Sequence, residues 1–258
     1  MPRLMAILNT TPNSYYPASR AATLEEAIAR GNLLAGQGAD ILDIGGESTQ
    51  PGAEPVDEAE ELRRVIPVIT ALRHLQIPLS IDTSKPKVAE AALKAGATFI
   101  NDVTGFRDPA MRRLAAERGV EICLMHMAGT PQTMQIDPSY PEGVIPHLLD
   151  FFKERIDLLL REGVDPKKII LDPGIGFGKT VAHNLQILHN LPEIVFLGYP
   201  VLVGFSRKAF IRKILGKPVE EVLVPTLACN TIALQAGVSI LRVHDVKEHR
   251  DLIDFLAY

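Results

Sequence analysis

Apolar residues gather along the chain in eight short runs, each closed by polar or charged side chains. The runs are LMAILN (4–9), DILDIGG (40–46), LSIDT (79–83), TFINDV (98–103), VEICLMHM (120–127), KIILD (168–172), VLVGFS (201–206) and SILRVHD (239–245). Short runs that are apolar throughout, rather than strictly alternating, predict parallel strands buried on both faces. Between them the period lengthens to that of helices. Thr23 precedes LEEAIARGNLLAGQG with Glu26 three residues on, the spacing of a capping box. Gly38 and Gly96 stop two helices, and Asp108-Pro109 opens a third with a cap and a first-turn proline. Longer helical stretches cover 142–163 and 218–237, and a last helix follows Val246. Long flexible loops are expected after strands 1, 2 and 5, the first and last of them over 14–22 and 128–143.

Eight strand–helix units without a break in composition predict an α/β chain folded as a single (β/α)8 TIM barrel domain over 1–258. A doubly wound sheet is the alternative, and the absence of a GxGxxG after the first strand argues against it. Composition agrees with a globular domain: 258 residues, 47% hydrophobic and 22% charged. A formal net charge of −4 gives no general basic field, so nucleic acid is not an expected partner. The two cysteines, Cys123 and Cys229, lie in apolar segments and make no disulfide framework. With no signal peptide and no membrane-spanning stretch, the expected location is cytoplasmic.

Candidate chemistry lies at the strand ends, which a barrel gathers on one rim. In order they carry Asn9, Glu47-Ser48-Thr49, Asp82-Thr83-Ser84, Asn101-Asp102, His126, Asp172, Ser206-Arg207-Lys208 and Arg242-His244-Asp245. Polar residues after strands often cap the next helix, and Asp102, Thr83, Ser84 and Asp245 fit that structural role. Asp82 and Asp172 close apolar strands inside the mouth, where a carboxylate needs a partner. Asp82, Asn101 and Asp172 suit a flat heterocycle edged with donors and acceptors. Lys208, Arg242 and His244 would supply cations for a polyanion, with Asn9 and Thr49 as neutral ligands. Asn9 offers a hard oxygen acceptable to Mg2+. LDPGIGFGKT (171–180) only imitates a phosphate-binding loop: the required first glycine is Pro173, and a GxGxxG would need glycine at Lys179. Its glycines are expected to let backbone approach a ligand and to hold Phe177 over it.

Read as motifs, these ends resemble the dihydropteroate synthase family. ILNTTPNS (7–14), DIGGESTQPGA (43–53), SIDTSKP (80–86), FINDV (99–103), LDPGIGFGK (171–179), GFSRK (204–208) and LRVHD (241–245) occur in family order. The resemblance implies a transferase of folate biosynthesis. It joins 6-hydroxymethyl-7,8-dihydropterin pyrophosphate to p-aminobenzoate with Mg2+ and releases pyrophosphate. Carried over, Asn9 binds metal and pyrophosphate, and Thr49 serves pyrophosphate and amine. Asp82, Asn101 and Asp172 read the pterin with Lys208, and Ser206, Arg242 and His244 contact substrate. Pro51, Phe177 and Lys208 flank the amine. Asp82, Lys208, Arg242 and His244 form the catalytic group. The resemblance also implies a homodimer, for which the apolar stretch 219–236 is the candidate contact.

The chain departs from the family pattern at Asn13, Tyr15, Gln50 and Ala209, and at Pro17-Ala18-Ser19 in the first loop, all toward the amine side. Two other readings remain open, a pterin barrel that transfers methyl from a methylated folate and a non-catalytic pterin-binding paralogue. Arg242, His244 and SRK argue against the first. A Schiff-base role for Lys208 and simple packing of His126 or Phe177 are the competing readings of single residues.

Overall fold

The computed structural model describes residues 1–10, 23–50 and 52–257. Its strands are β1 (Arg3–Asn9), β2 (Ile41–Gly45), β3 (Leu79–Asp82), β4 (Phe99–Asp102), β5 (Glu121–Met125), β6 (Ile169–Asp172), β7 (Leu202–Val203) and β8 (Ile240–Val243). All pair in parallel in the order β6-β5-β4-β3-β2-β1-β8-β7. A bridge between Leu171 and Val201 joins β6 to the entry of β7, which brings the two edges together. The expected TIM barrel is the observed one.

Ten helices are described: α1 (Leu24–Gly36), α2 (Glu58–Leu72), α3 (Pro86–Ala95), α4 (Pro109–Arg118), α5 (Val144–Arg161), α6 (Val181–His189), α7 (Leu191–Val195), α8 (Ala209–Leu215), α9 (Leu223–Gln235) and α10 (Val246–Leu256). Local signals place their ends. The Thr23 hydroxyl accepts from the Glu26 amide while the Glu26 carboxylate accepts from the Thr23 amide, closing the capping box. Asp108 caps α4 by accepting from Ala110 N–H. Stretch 218–237 divides into a 3-10 turn over Val219–Glu221 and then α9. Among the described residues no helix is long and apolar enough to cross a membrane.

The two-residue period of the strands sorts side chains between two cores. Leu4, Leu8, Leu42, Ile44, Ile81, Ile100, Leu124, Leu171, Val203 and Leu241 face outward and pack with the helices in the main hydrophobic cluster. Met5, Ile41, Phe99, Cys123, Ile170, Leu202 and Ile240 form a separate buried cluster that plugs the barrel floor. Two residues on from floor positions the chain turns polar, at Asp43, Asn101, Asp172 and Arg242. Register sets one row level at the rim: Asn9 is paired with Gly45, Gly45 with Asp82, and Asp82 with Asn101. An apolar floor under a polar mouth follows from strand parity.

One glycine of the 171–180 segment has a different use from the expected approach to a ligand. A Cβ on Gly174, at φ 67°, would lie 1.9 Å from the His126 carbonyl oxygen. The residue lets the loop after β6 fold tightly against the end of β5.

Candidate active site

Arg242 stands at the centre of the mouth. Its Nε donates to Asp43 Oδ2 at 2.7 Å and its Nη2 to Asp82 Oδ2 at 2.8 Å. Asp43 is fully buried and accepts also from Ser80 Oγ at 2.6 Å and from Asn101 Nδ2 at 3.0 Å. Side chains of β2, β3, β4 and β8 are thus tied into one network. Asp43 was not among the expected site residues. The signal for it was a carboxylate in the middle of the apolar run DILDIGG, on the same strand face as Gly45.

The network leaves specific acceptors facing inward. Asp82 Oδ1 and Asn101 Oδ1 are buried without a hydrogen-bond partner, and both residues line a small recess with Asp172, Lys208 and Phe177. A buried unpaired oxygen costs about 1–3 kcal/mol unless a ligand supplies a donor. Burial, with the neighbouring Asp43 charge, pushes the Asp82 carboxyl up to about 8, against the pull of Arg242. Burial also raises Asp172, whose Oδ1 accepts from Gly174 N–H at 2.7 Å.

A wider cavity of about 640 Å3 opens beside the recess, lined by Asn9, Thr49, Gln50, Phe177, Lys208 and His244 among others. The structure therefore brings Asn9, Thr49, Asp82, Asn101, Asp172, Phe177, Ser206, Lys208, Arg242 and His244 to one mouth. Pro51, Asn13 and Tyr15 lie outside the described residues. Lys208 Nζ stands 4.4 Å from the centroid of the Phe177 ring. Burial and the Arg242 charge lower its amine to about 8. Thr49 follows Glu47, and that loop is anchored by Lys85, whose ammonium bridges Glu47 and the buried Glu61.

Three expectations are revised. His244 is not a cation: burial and the charges of Arg242, Lys208 and Arg207 lower it to about 3, and its Nδ1 meets Ser206 Oγ at 2.9 Å. It can offer hydrogen bonds but not charge. Ser206 also accepts from the His244 amide, so its hydroxyl orients this imidazole. Asp245 does not cap its helix through its side chain; it takes a two-pronged pair from Arg207, at 2.9 and 2.8 Å. Asp102 does not cap the next helix either, a part taken by Asp108; it accepts from the Thr104 and Phe106 amides in the turn after β4.

Among the described residues no group of three or more His, Cys, Asp or Glu could hold a metal ion. The mouth instead offers a single-ligand arrangement. Asn9, at the end of β1, lines the cavity, and its Oδ1 is the hard oxygen of that arrangement. One such oxygen fits an ion such as Mg2+ that keeps most of its waters and shares substrate phosphate.

A polar mouth built for an N–H-rich flat ring, on a barrel with an apolar floor, is the design of a pterin-binding enzyme. The chain matches the family of that description, pterin binding enzyme, over residues 5–244. It is 44% identical to the dihydropteroate synthase of Escherichia coli over 96% of this chain and 88% of the relative. Identity to that of Synechocystis is 47%, over 95% of this chain and 85% of the relative. A dihydropteroate synthase from Yersinia pestis, solved with a sulfonamide drug complex, superposes with a TM-score of 0.96 at 40% identity, covering 99% and 93% of the two chains. One from Xanthomonas albilineans with 4-aminobenzoic acid gives 0.91 at 44% identity, covering 99% and 92%. The chain belongs to the dihydropteroate synthase family.

Replacing Asp43 by Asn removes one of the two carboxylates that hold the Arg242 guanidinium and puts an amide donor among donors. Loss of such a buried pair is expected to cost about 3 kcal/mol of stability, read as a lowered midpoint in urea unfolding at unchanged slope. A cost below about 0.5 kcal/mol, the level of a surface substitution, would remove Asp43 from the centre of the network.

Proposed function

We propose that this chain condenses 6-hydroxymethyl-7,8-dihydropterin pyrophosphate with p-aminobenzoate, giving 7,8-dihydropteroate and pyrophosphate. The observation that carries the reading is the pair of unpartnered acceptors, Asp82 Oδ1 and Asn101 Oδ1, in a recess closed by Asp172. Three acceptors in fixed positions match the N–H edge of a pterin, and a heterocycle lacking those donors leaves them unpaired. Discrimination on that basis reaches about 10⁴-fold.

In the reaction the exocyclic carbon–oxygen bond breaks, with its electron pair departing on pyrophosphate. The amine nitrogen then forms the new bond to carbon and loses a proton. Arg242 and Lys208 stabilise charge that develops on the leaving group, and His244 donates to it as a neutral imidazole. Asp82, paired with Arg242, would oppose positive charge on the conjugated pterin when it is in its carboxylate form. Asn9 would hold Mg2+, which when bound supplies further neutralisation of the pyrophosphate. Thr49 and Phe177 line the wider cavity, where p-aminobenzoate would lie beside Lys208. Gln50 and Ala209 line it too, so two of the departures from the family pattern fall on the amine side.

A homodimer is part of the same reading. Helix α9 presents Val224, 76% exposed, and Ile232 to solvent, and the end of α7 presents Phe196, 92% exposed. A second copy of the chain would cover such a surface.

Pyrophosphate release from the pterin pyrophosphate is expected to need both Mg2+ and p-aminobenzoate, with dihydropteroate formed in equal amount. Tight pterin binding without amine-dependent product would mark a non-catalytic pterin-binding protein instead. Sedimentation velocity is expected to show a dimer that Val224→Glu converts to monomer; a monomer at all concentrations tested would remove that part. Lys208 carries charge below about pH 8 and loses it above. The kcat/KM for pterin pyrophosphate should therefore fall on the alkaline side of pH 8. Lys208→Arg should shift that limb upward, since guanidinium stays protonated; an unmoved limb assigns the titration elsewhere.

A further inference from the structure

The turn that carries Phe177 has an unusual mode of support. Gly174, Gly176 and Gly178 all have positive φ, so Phe177 sits in a turn whose backbone glycine adopts most readily. Three successive carbonyls of this turn are each held by a side chain. The Gly176 oxygen accepts from Gln135 Nε2 at 2.6 Å, the Phe177 oxygen from Lys179 Nζ at 3.0 Å, and the Gly178 oxygen from Tyr140 Oη at 2.8 Å. Gln135 and Tyr140 come from the loop after β5. Lys179 is the side chain that holds the Phe177 carbonyl, while the Phe177 amide donates to the Gly174 carbonyl at 3.0 Å.

Lys179 is an expensive residue to use in this way. It is 3% exposed, and no carboxylate among the described residues pairs with it. An amine taken out of water is costly where no carboxylate bonds to it directly, and burial lowers this one to about 7 against the more distant charge of Asp172. Its other contact is His126 Nδ1 at 2.9 Å. His126 is 2% exposed at the end of β5, its ring edge-on to Phe151 with centroids 4.8 Å apart. Its Nε2 lies 3.1 Å from Nε2 of His147 on α5. Burial keeps His126 neutral, so Nδ1 accepts from Lys179 and the ring proton sits on Nε2, facing His147. The chain of contacts runs from α5 through two imidazoles and an amine to the carbonyl of Phe177.

We propose that Lys179 and His126 are positioning residues of the amine site. Lys179 Nζ fixes the Phe177 carbonyl, and with it the ring that stands against Lys208 between recess and cavity; His126 fixes the amine. The inference rests on the assignment of Phe177 to the p-aminobenzoate site. It also explains why a segment that imitates a phosphate loop ends in lysine: the ammonium turns inward to its own backbone.

The test compares steady-state constants for the two substrates, with thermal unfolding measured on every variant. Lys179→Met should raise the KM for p-aminobenzoate about tenfold, while the KM for pterin pyrophosphate moves by less than about twofold. The two conservative changes of His126 separate positioning from packing. Asn places an acceptor where Nδ1 was and should keep the p-aminobenzoate KM within about twofold of the parent, whereas Gln retains only the His147 side and should behave like Lys179→Met. The chain has no tryptophan, so Phe177→Trp supplies a single reporter. Adding Lys179→Met to it should shift its emission to the red and lower its anisotropy. Equal rises in both KM values, or a loss that follows the unfolding temperature alone, would overturn the proposal. If Lys179→Met does not fold, the His126 pair decides, and Gln better tolerated than Asn would overturn it. Phe177→Leu separates the two levels. An unchanged p-aminobenzoate KM there overturns the amine-site assignment and the proposal with it. A raised KM there with an unaffected Lys179→Met overturns the positioning role alone.

Discussion

The guanidinium of Arg242, shared between the buried carboxylates of Asp43 and Asp82, is the interaction on which the mouth of this barrel depends. Taking three charges out of water is costly, and attraction between them offsets the cost only where geometry is good and the remaining lone pairs are met. Here Ser80 and Asn101 meet those of Asp43. The consequence reaches past stability. With Arg242 and Asn101 both committed to Asp43, one oxygen of Asp82 and one of Asn101 are held in place, buried and without a protein partner. Acceptors fixed before the ligand arrives need no reorganisation when it binds. The ion network is thus both the tie between four strands and the frame of the pterin recess.

Strand parity decides which residues can join such a network, and parity is why so much of it was legible in sequence. An apolar run ending in a polar residue places that residue at the rim, whatever the neighbouring strand contains. Asn9, Asp82, Asn101, Asp172 and Arg242 were found in that way. Asp43 was not, because it interrupts its run two residues before the end, and its importance comes from Ser80, Asn101 and Arg242, which are remote in the chain. His244 shows the opposite error. Its type suggested a charge, yet burial and nearby cations, Arg242 first, leave the ring neutral, and only assembled neighbours reveal that. Lys179 was discounted along with the phosphate-loop reading of its motif, since nothing in the local spacing tells an inward lysine from an outward one.

The two halves of the mouth rest on different kinds of support. The pterin recess is built on strand ends, whose positions are set by parallel pairing and by the packed floor beneath them. The cavity beside it is walled by loops, and these hold one another through single contacts. The Gly52 amide donates to the Pro131 carbonyl, Gln132 Nε2 donates to Ala53, and Gln135 and Tyr140 reach the turn after β6. Anchors at the loop bases, such as Lys85 between Glu47 and Glu61, tie these walls back to the barrel.

This difference bears on where change can be absorbed. A substitution in the recess disturbs a network in which every member is shared, so its effect spreads over several strands. A substitution at a loop tip removes one contact among several and leaves the strand ends where they were. Gln50 and Ala209 sit on the loop-built side, and the first loop, with Asn13 and Tyr15, follows Asn9 directly in sequence. Under the proposed reaction the charge handling falls to Arg242 on β8 and to Lys208 at the cap of α8. The cavity wall can then be neutral, and Gln50 and Ala209 shape the space beside Lys208.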